Sequence, residues 1–211
     1  MRIAINGIGV AGPALAWWLR EYGYDPVMFE LAPKLRSGGY LVDFWGVGYD
    51  IAERMGILPE LYKRGYKMRE LRLVDRRGKK SSGMNVEDIR SLTADRFVSV
   101  ARSDIASTIY DACRDTEARF GIHVTGVDQH PDFVVVKLSD GSTEKFDLLI
   151  GADGLHSKVR SSVFGPDENY ERSLGAYVSA FTLRDYLPRD ELTYISCPRN
   201  RQAGVPRFIA R

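Results

Sequence analysis

The chain has 211 residues, 44% of them hydrophobic and 27% charged, with a formal net charge of +2, which supports a packed core and excludes a disordered chain. The basic excess sits in the final stretch RNRQAGVPRFIAR, which holds Arg199, Arg201, Arg207 and Arg211 and no acid; the rest is slightly acidic, so no nucleic-acid footprint is expected. Cys113 and Cys197 form neither a CxxC pair nor a disulfide framework, which fits a reducing cytoplasm, and His123, His130 and His156 lack metal-ligand spacing, so no metal site is expected.

Residues 2–6, RIAIN, read as a short buried strand closed by glycine. A secretion signal is the competing reading, with Arg2 as the charged flank and ALA at 14–16 imitating a cleavage site. Asn6 and the glycines after it interrupt the apolar run, which is too short to span a membrane. No other run approaches that length, so no membrane span is expected. GPALAWWLREY reads as a helix, with Pro13 near its start and Gly23 after its end, and with Leu15, Trp18 and Leu19 on one face. Asp25 and Pro26 mark a turn, and VMFE is a second strand ending at Glu30. Strand, glycine turn, helix and strand within about thirty residues is the plan of a mononucleotide-binding βαβ unit.

The glycines of GIGVAG have separate tasks in that plan. Gly7 allows the tight turn, Gly9 lets backbone approach a diphosphate, and Gly12 lets the helix pack on the strand. The diphosphate then rests on the free N–H groups and positive dipole end of the helix. Glu30 stands where a carboxylate accepts hydrogen bonds from ribose hydroxyls and repels a 2′-phosphate. The competing reading is a glycine turn of some other α/β protein. The motif does not separate FAD from NAD, which share the ADP half.

Residues 31–46 read as a loop holding Gly38, Gly39 and then Tyr40, Asp43, Phe44 and Trp45. VGYDIAERMG reads as a short helix stopped by Gly56, RELRLVD as a strand, and SSGMNVEDIRSL as polar surface. RFVSVA is another strand, after which Ser103 reads as the N-cap of a helix with Ile105, Ile109, Ala112 and Cys113 on one face. By spacing alone Arg102 reads either as a solvated arginine or as a guanidinium reaching a ligand, and the first use is the commoner. IHVTGV is a strand, and DFVVVKLSDGSTEKFDLLIG reads as a strand, a hairpin turn at SDGS and a further strand. In GADGLHSKVR, Asp153 either caps the following helix or contacts the remaining half of an extended dinucleotide. GAYVSAFTL and LTYISC read as further strands.

Three stretches together, GIGVAGPALAWWLREYGYDPVMFE, RSDIASTI and DLLIGADGLHSKVR, resemble the FAD-dependent monooxygenases of the aromatic-hydroxylase type, and among them the antibiotic- and polyketide-modifying members. The D-G-x-x-S-x-x-R fingerprint is complete at Asp153, Gly154, Ser157 and Arg160, and RSDIASTI matches R-x-x-L-x-x-x-L with Ile105 and Ile109. The resemblance covers roughly residues 1–185. It implies an α/β fold: a Rossmann-like FAD-binding domain with a parallel sheet over 1–66 and 97–165, plus an incomplete β-rich substrate domain over 67–96 and 166–211. It implies FAD contacts from Gly7, Gly9, Val10, Ala11, Gly12, Glu30, Arg36, Gly39, Arg102, Asp153 and Gly154. It also implies NADPH or NADH as a transient reductant, O2, and an aromatic or polycyclic small-molecule substrate. No side-chain pair stands out as catalytic.

Two departures from the family pattern stand out. Leu31 follows Glu30 where many members carry arginine, leaving Lys34 or Arg36 as substitutes, and no Gly-Asp dipeptide, the family's third fingerprint, occurs anywhere. The expectation is a truncated or frameshifted relative, or a separated N-terminal piece, that holds FAD weakly and self-associates through uncovered strands after residue 174. The competing readings are a non-catalytic FAD-binding fragment and a flavin- or NAD-dependent dehydrogenase that does not use O2.

Overall fold

A computed structural model describes residues 1–181, 192–199 and 201–205. The chain starts with β1 (Arg2–Asn6), α1 (Ala11–Glu21) and β2 (Asp25–Glu30). It continues through β3 (Leu41–Trp45), α2 (Val47–Arg54), α3 (Leu58–Arg64), β4 (Glu70–Val74), β5 (Lys80–Asn85), α4 (Val86–Leu92) and β6 (Phe97–Ala101). After α5 (Arg102–Ala112) come β7 (Glu117–Phe120), β8 (Val124–Gln129), β9 (Val134–Leu138), β10 (Thr143–Phe146), β11 (Leu148–Gly151) and α6 (Lys158–Val163), then β12 (Leu192–Ser196) and β13 (Ala203–Val205). These elements form two compact units: Met1–Ser37 with Ile105–Ser179, and Gly38–Asp104 with the described residues after Ser179. Residues 38–66 and 97–104, assigned to the cofactor domain by resemblance, pack within the second unit.

In the first unit a parallel sheet runs in the order β11-β1-β2-β7. Its central strands are buried on both faces, which is why RIAIN and VMFE are nearly continuous apolar runs. Alternation along each strand sorts the side chains onto two faces. Ala4, Val27 and Phe29 join Val124, Val134, Val136, Leu138, Phe146 and Val159 in one core cluster. Ile3, Ile5 and Met28 join Ile8, Ala16 and Cys113 in another. A second, antiparallel sheet of order β10-β9-β8 supplies most of the first cluster.

Several elements differ from the sequence expectation. The buried residues of α1 are Gly12, Pro13 and Ala16, with Leu15, Trp17 and Leu19 half-buried beside them. Trp18 instead stacks on exposed Tyr22 at a centroid distance of 6.2 Å. Small residues let the helix lie close to the sheet, and that turns its buried face away from Trp18. The stretch after SDGS is two strands: β10 pairs antiparallel with β9, and β11 pairs parallel with β1. Asp147 makes the break, accepting the Arg2 N–H at 2.6 Å and donating its own N–H to the Arg2 carbonyl at 2.9 Å. β7, sequence EARF, is a polar strand that periodicity did not reveal.

In the second unit β13-β12-β4-β5 form a mixed sheet, with β12 parallel to β4. The expected loop over 31–46 contains β3, which pairs antiparallel with β6, and the Ser99 hydroxyl donates to Asp43 at 2.6 Å. SSGMNVEDIRSL lies at the surface as expected, yet forms β5 and α4; pairing with β4 makes the strand, not burial. The expected strand GAYVSAFTL is absent over residues 175–181, which are exposed and without regular structure, and its last two residues lie outside the described ones. LTYISC is β12 over its first five residues.

Candidate functional site

β1 delivers the chain in extended form to Gly7, which turns it at φ +114°. A Cβ at Gly7 would strike the Ala152 carbonyl oxygen, 2.6 Å from its carbon and 2.9 Å from Asp153 Cα, so only glycine fits. Gly12 is equally closed off: a Cβ there would run into the Gly7 carbonyl oxygen and sit 3.4 Å from Ile5 Cγ2. Gly9 differs from both. Nothing lies within 4 Å of where its Cβ would be, and its φ is outside the left-handed range. Neither backbone nor packing calls for glycine at position 9; the missing side chain leaves open space beside the loop.

That space lies at the start of α1. Val10 occupies the N-cap position, where its side chain cannot accept a hydrogen bond, and no acid stands in the first turn. Ala11 and Gly12 open the helix and Pro13 has no N–H to offer. The first turn therefore keeps backbone donors and a positive dipole end without a side-chain acceptor. A phosphate or diphosphate suits this arrangement.

Glu30, at the end of β2, is 8% exposed and braces the loop. One carboxylate oxygen accepts the Ile8 N–H at 2.8 Å and the other the Ala32 N–H at 3.0 Å. The Arg36 guanidinium, largely exposed, lies 3.8 Å from the second oxygen. Each oxygen keeps a further lone pair for a ribose hydroxyl. Lys34 and Leu31 are both exposed.

Of its two sequence readings, Asp153 shows the capping one. Its carboxylate accepts the N–H groups of Lys158 at 2.8 Å and Val159 at 3.3 Å, and the Ser157 hydroxyl, so it does cap α6. It also accepts the Asn6 side-chain amide at 2.9 Å, which ties its turn to the first glycine loop. Burial works to raise the Asp153 pKa, but the Ser157 hydroxyl and the backbone N–H groups of Val159 and Lys158 outweigh it and hold the carboxyl below the usual range. Gly154 turns the chain at φ +84° with open space around it. The fingerprint's other residues lock the turn. Ser157 accepts the Arg160 N–H at 3.0 Å, and the Arg160 guanidinium donates to the Leu155 carbonyl and to Asp167, each at 2.8 Å.

The first unit thus brings together Gly7, Gly9, Val10, Ala11, Gly12, Glu30, Arg36, Asp153 and Gly154. Gly39 and Arg102 belong to the second unit, where they meet each other: a Cβ at Gly39, φ +123°, would sit 3.6 Å from Arg102 Cβ, and the Arg102 N–H donates to the Tyr40 carbonyl at 3.0 Å. Arg102 is the first residue of α5, so Ser103 lies inside the helix rather than capping it. Sequence reasoning missed Asn6 and Gly151. A Cβ at Gly151 would be 2.9 Å from Val159 Cβ, so glycine there lets α6 approach β11. The available signal for Asn6 was a polar residue at the end of an otherwise apolar strand. Among the described residues no His, Cys, Asp or Glu cluster could hold a metal ion, and no helix is long and apolar enough to cross a membrane.

No protein-family model matches the chain. It is 35% identical over 202 residues to a flavin-dependent monooxygenase from an unknown prokaryotic organism, a match that covers 96% of this chain and 52% of that protein. The crystal structure of the tetracycline destructase Tet(55) matches with a TM-score of 0.83 at 31% identity, over 96% of this chain and 51% of the other. A variant of Klebsiella pneumoniae HpxO complexed with FAD shares the fold, with a TM-score of 0.74 at 22% identity over 97% of this chain and 53% of that one. The chain spans about half the length of the curated relatives it matches. Over nearly all of its residues the chain is therefore homologous to about half the length of flavin-dependent monooxygenases, on the same Rossmann-like α/β fold.

Proposed function

We propose that the chain binds FAD and serves a monooxygenase reaction that hydroxylates an aromatic or polycyclic small molecule, with NADPH or NADH as transient reductant and O2 as oxidant. The diphosphate lies against the Gly7–Gly12 loop and the first turn of α1, with backbone at Gly9, Val10 and Ala11 closest to it. Glu30 accepts from the ribose hydroxyls, and its charge disfavours a 2′-phosphate there. The Asp153–Gly154 turn serves the flavin-side half. Gly39 and Arg102 enter by resemblance alone, as do the functional limits 1–66 with 97–165 for the cofactor domain and 67–96 with 166–211 for the substrate domain.

The bound flavin supplies the redox chemistry, accepting hydride equivalents and, once reduced, activating O2. The residues of this chain bind and orient it: backbone donors hold the diphosphate, and Glu30 fixes the adenosine end. A polycyclic substrate is supported by the likeness to a destructase of tetracycline. A cytoplasmic location is proposed because the reductant is an intracellular resource and Cys113 and Cys197 are both free thiols.

Gly9 is the observation that carries this reading, since its missing side chain has no role within the protein itself. FAD titration followed by flavin fluorescence tests it. Gly9→Val is expected to weaken FAD binding by about tenfold or more through blocked hydrogen bonds to the diphosphate, with the melting temperature of the cofactor-free protein unchanged. Equal affinity in the variant and the parent would defeat the reading. Substrate-stimulated NADPH oxidation with incorporation of labelled oxygen separates monooxygenation from dehydrogenation.

A further inference from the structure

We propose that Asn6 is a positioning residue that sets how the Asp153 turn is presented beside the first glycine loop, an inference that rests on the FAD reading above. Asn6 ends β1 and is 4% exposed. A side-chain amide buried this deeply is tolerated only when its polar atoms are bonded. Here the oxygen accepts the Val124 N–H of β8 at 3.0 Å, and the nitrogen donates to Asp153 Oδ2 at 2.9 Å. The amide's orientation is fixed, because an N–H can only donate and a carboxylate can only accept. The Asn6 main-chain carbonyl also accepts the Ala152 N–H at 2.8 Å. One residue therefore ties together the glycine turn, the antiparallel sheet and the 152–154 turn.

The other side-chain and backbone donors to Asp153 are local: Ser157, Lys158 and Val159 fix the internal shape of the turn. Asn6 is the donor that comes from another part of the sheet, so it fixes the turn against the first loop. The close approach of Gly7 to Ala152 permits this arrangement but gives it no direction. With its oxygens engaged by protein donors, the Asp153 carboxylate acts by holding the turn, and the turn's backbone is what meets the ligand. An apolar residue of similar size would fill the end of β1 equally well, so packing by itself does not call for asparagine.

Two variants test this. Asn6→Asp keeps the size and the acceptor for the Val124 N–H, but sets a carboxylate against the Asp153 carboxylate. Asn6→Leu keeps the bulk and removes the donor without adding a charge, so an effect shared by both variants reports the lost bond and not carboxylate repulsion; the Lys158 and Val159 N–H groups, which share Asp153 Oδ2 with Asn6, keep their acceptor in each. In the cofactor-free protein, Asn6→Asp is expected to speed amide hydrogen exchange over residues 152–160 by about tenfold, the scale of a lost charged hydrogen bond. FAD affinity should fall by a similar factor, and the visible circular dichroism of the bound flavin should change. Asn6→Leu should move all three in the same direction. The inference is overturned if Asn6→Asp lowers only the melting temperature and leaves flavin dichroism and affinity at parent values, or if Asn6→Leu leaves exchange, affinity and dichroism at parent values. Should Asn6→Asp fail to fold, Asn6→Ser, which shortens the donor, gives the same comparison. A parent protein that takes up no FAD would remove the cofactor reading and this inference with it, an outcome visible before any variant is made.

Discussion

A methyl group added at Gly12 would overlap the Gly7 carbonyl oxygen, whereas one added at Gly9 would meet nothing within 4 Å. Gly12→Ala is therefore expected to destabilise the cofactor-free protein by about 1–3 kcal/mol, the usual cost of overpacking, read from urea denaturation. Gly9→Ala should leave the denaturation midpoint within experimental error. Both glycines look alike in the sequence, because spacing reports the motif and not which neighbour sits over each Cα. Asp153 carries a second expectation at this scale. Its carboxyl is held below the ordinary range in the folded protein, so the charged form stabilises the fold above the unfolded pKa of about 4. That contribution is lost as pH falls through the lower, folded value. Measured against pH, the stability gap between the parent and Asp153→Asn should be full at neutral pH and close progressively below about pH 4. A gap that widens toward acid would contradict the assignment.

Among the elements, α6 shows how a fingerprint works as structure. Ser157 is its N-cap, accepting the Arg160 N–H while donating to Asp153. Ser157→Ala removes both bonds and should cost about 1–2 kcal/mol, seen as a lower urea midpoint with an unchanged slope. An unshifted midpoint would show that α6 contributes nothing to the cooperative fold. The strands divide by how locally they are encoded. β1 and β2 were legible because burial on both faces makes them nearly continuous apolar runs. β5 and β7 were not, because their side chains are largely polar and only pairing with β4 and β2 makes them strands. β3 was hidden for a related reason: the glycines before it signal a loop, and its partner β6 lies more than fifty residues away in the chain.

At the scale of the whole molecule, the stretch 174–181 places Leu174, Tyr177, Val178 and Phe181 in solvent. Apolar side chains gathered along one exposed segment favour association. Light scattering is expected to show mass rising with concentration, and the combined change Tyr177→Ser with Val178→Ser should reduce it; a constant monomer mass up to high concentration would refute this. The expected strand in this stretch did not form among the described residues, since alternating apolar character does not supply a pairing partner. By itself the sequence determined the βαβ opening, the three glycines, the acid at the end of the second strand and the Asp-Gly fingerprint. Each is a local pattern written within some thirty residues. Only the tertiary structure decided that Gly7 abuts Ala152, that Asn6 bonds to Asp153 across 147 positions of sequence, and that Gly9 alone of the three glycines borders open space. Those facts follow from the parallel pairing of β1 with β11, a long-range contact whose register is set by the packing of both sheet faces and not by any residue near either loop.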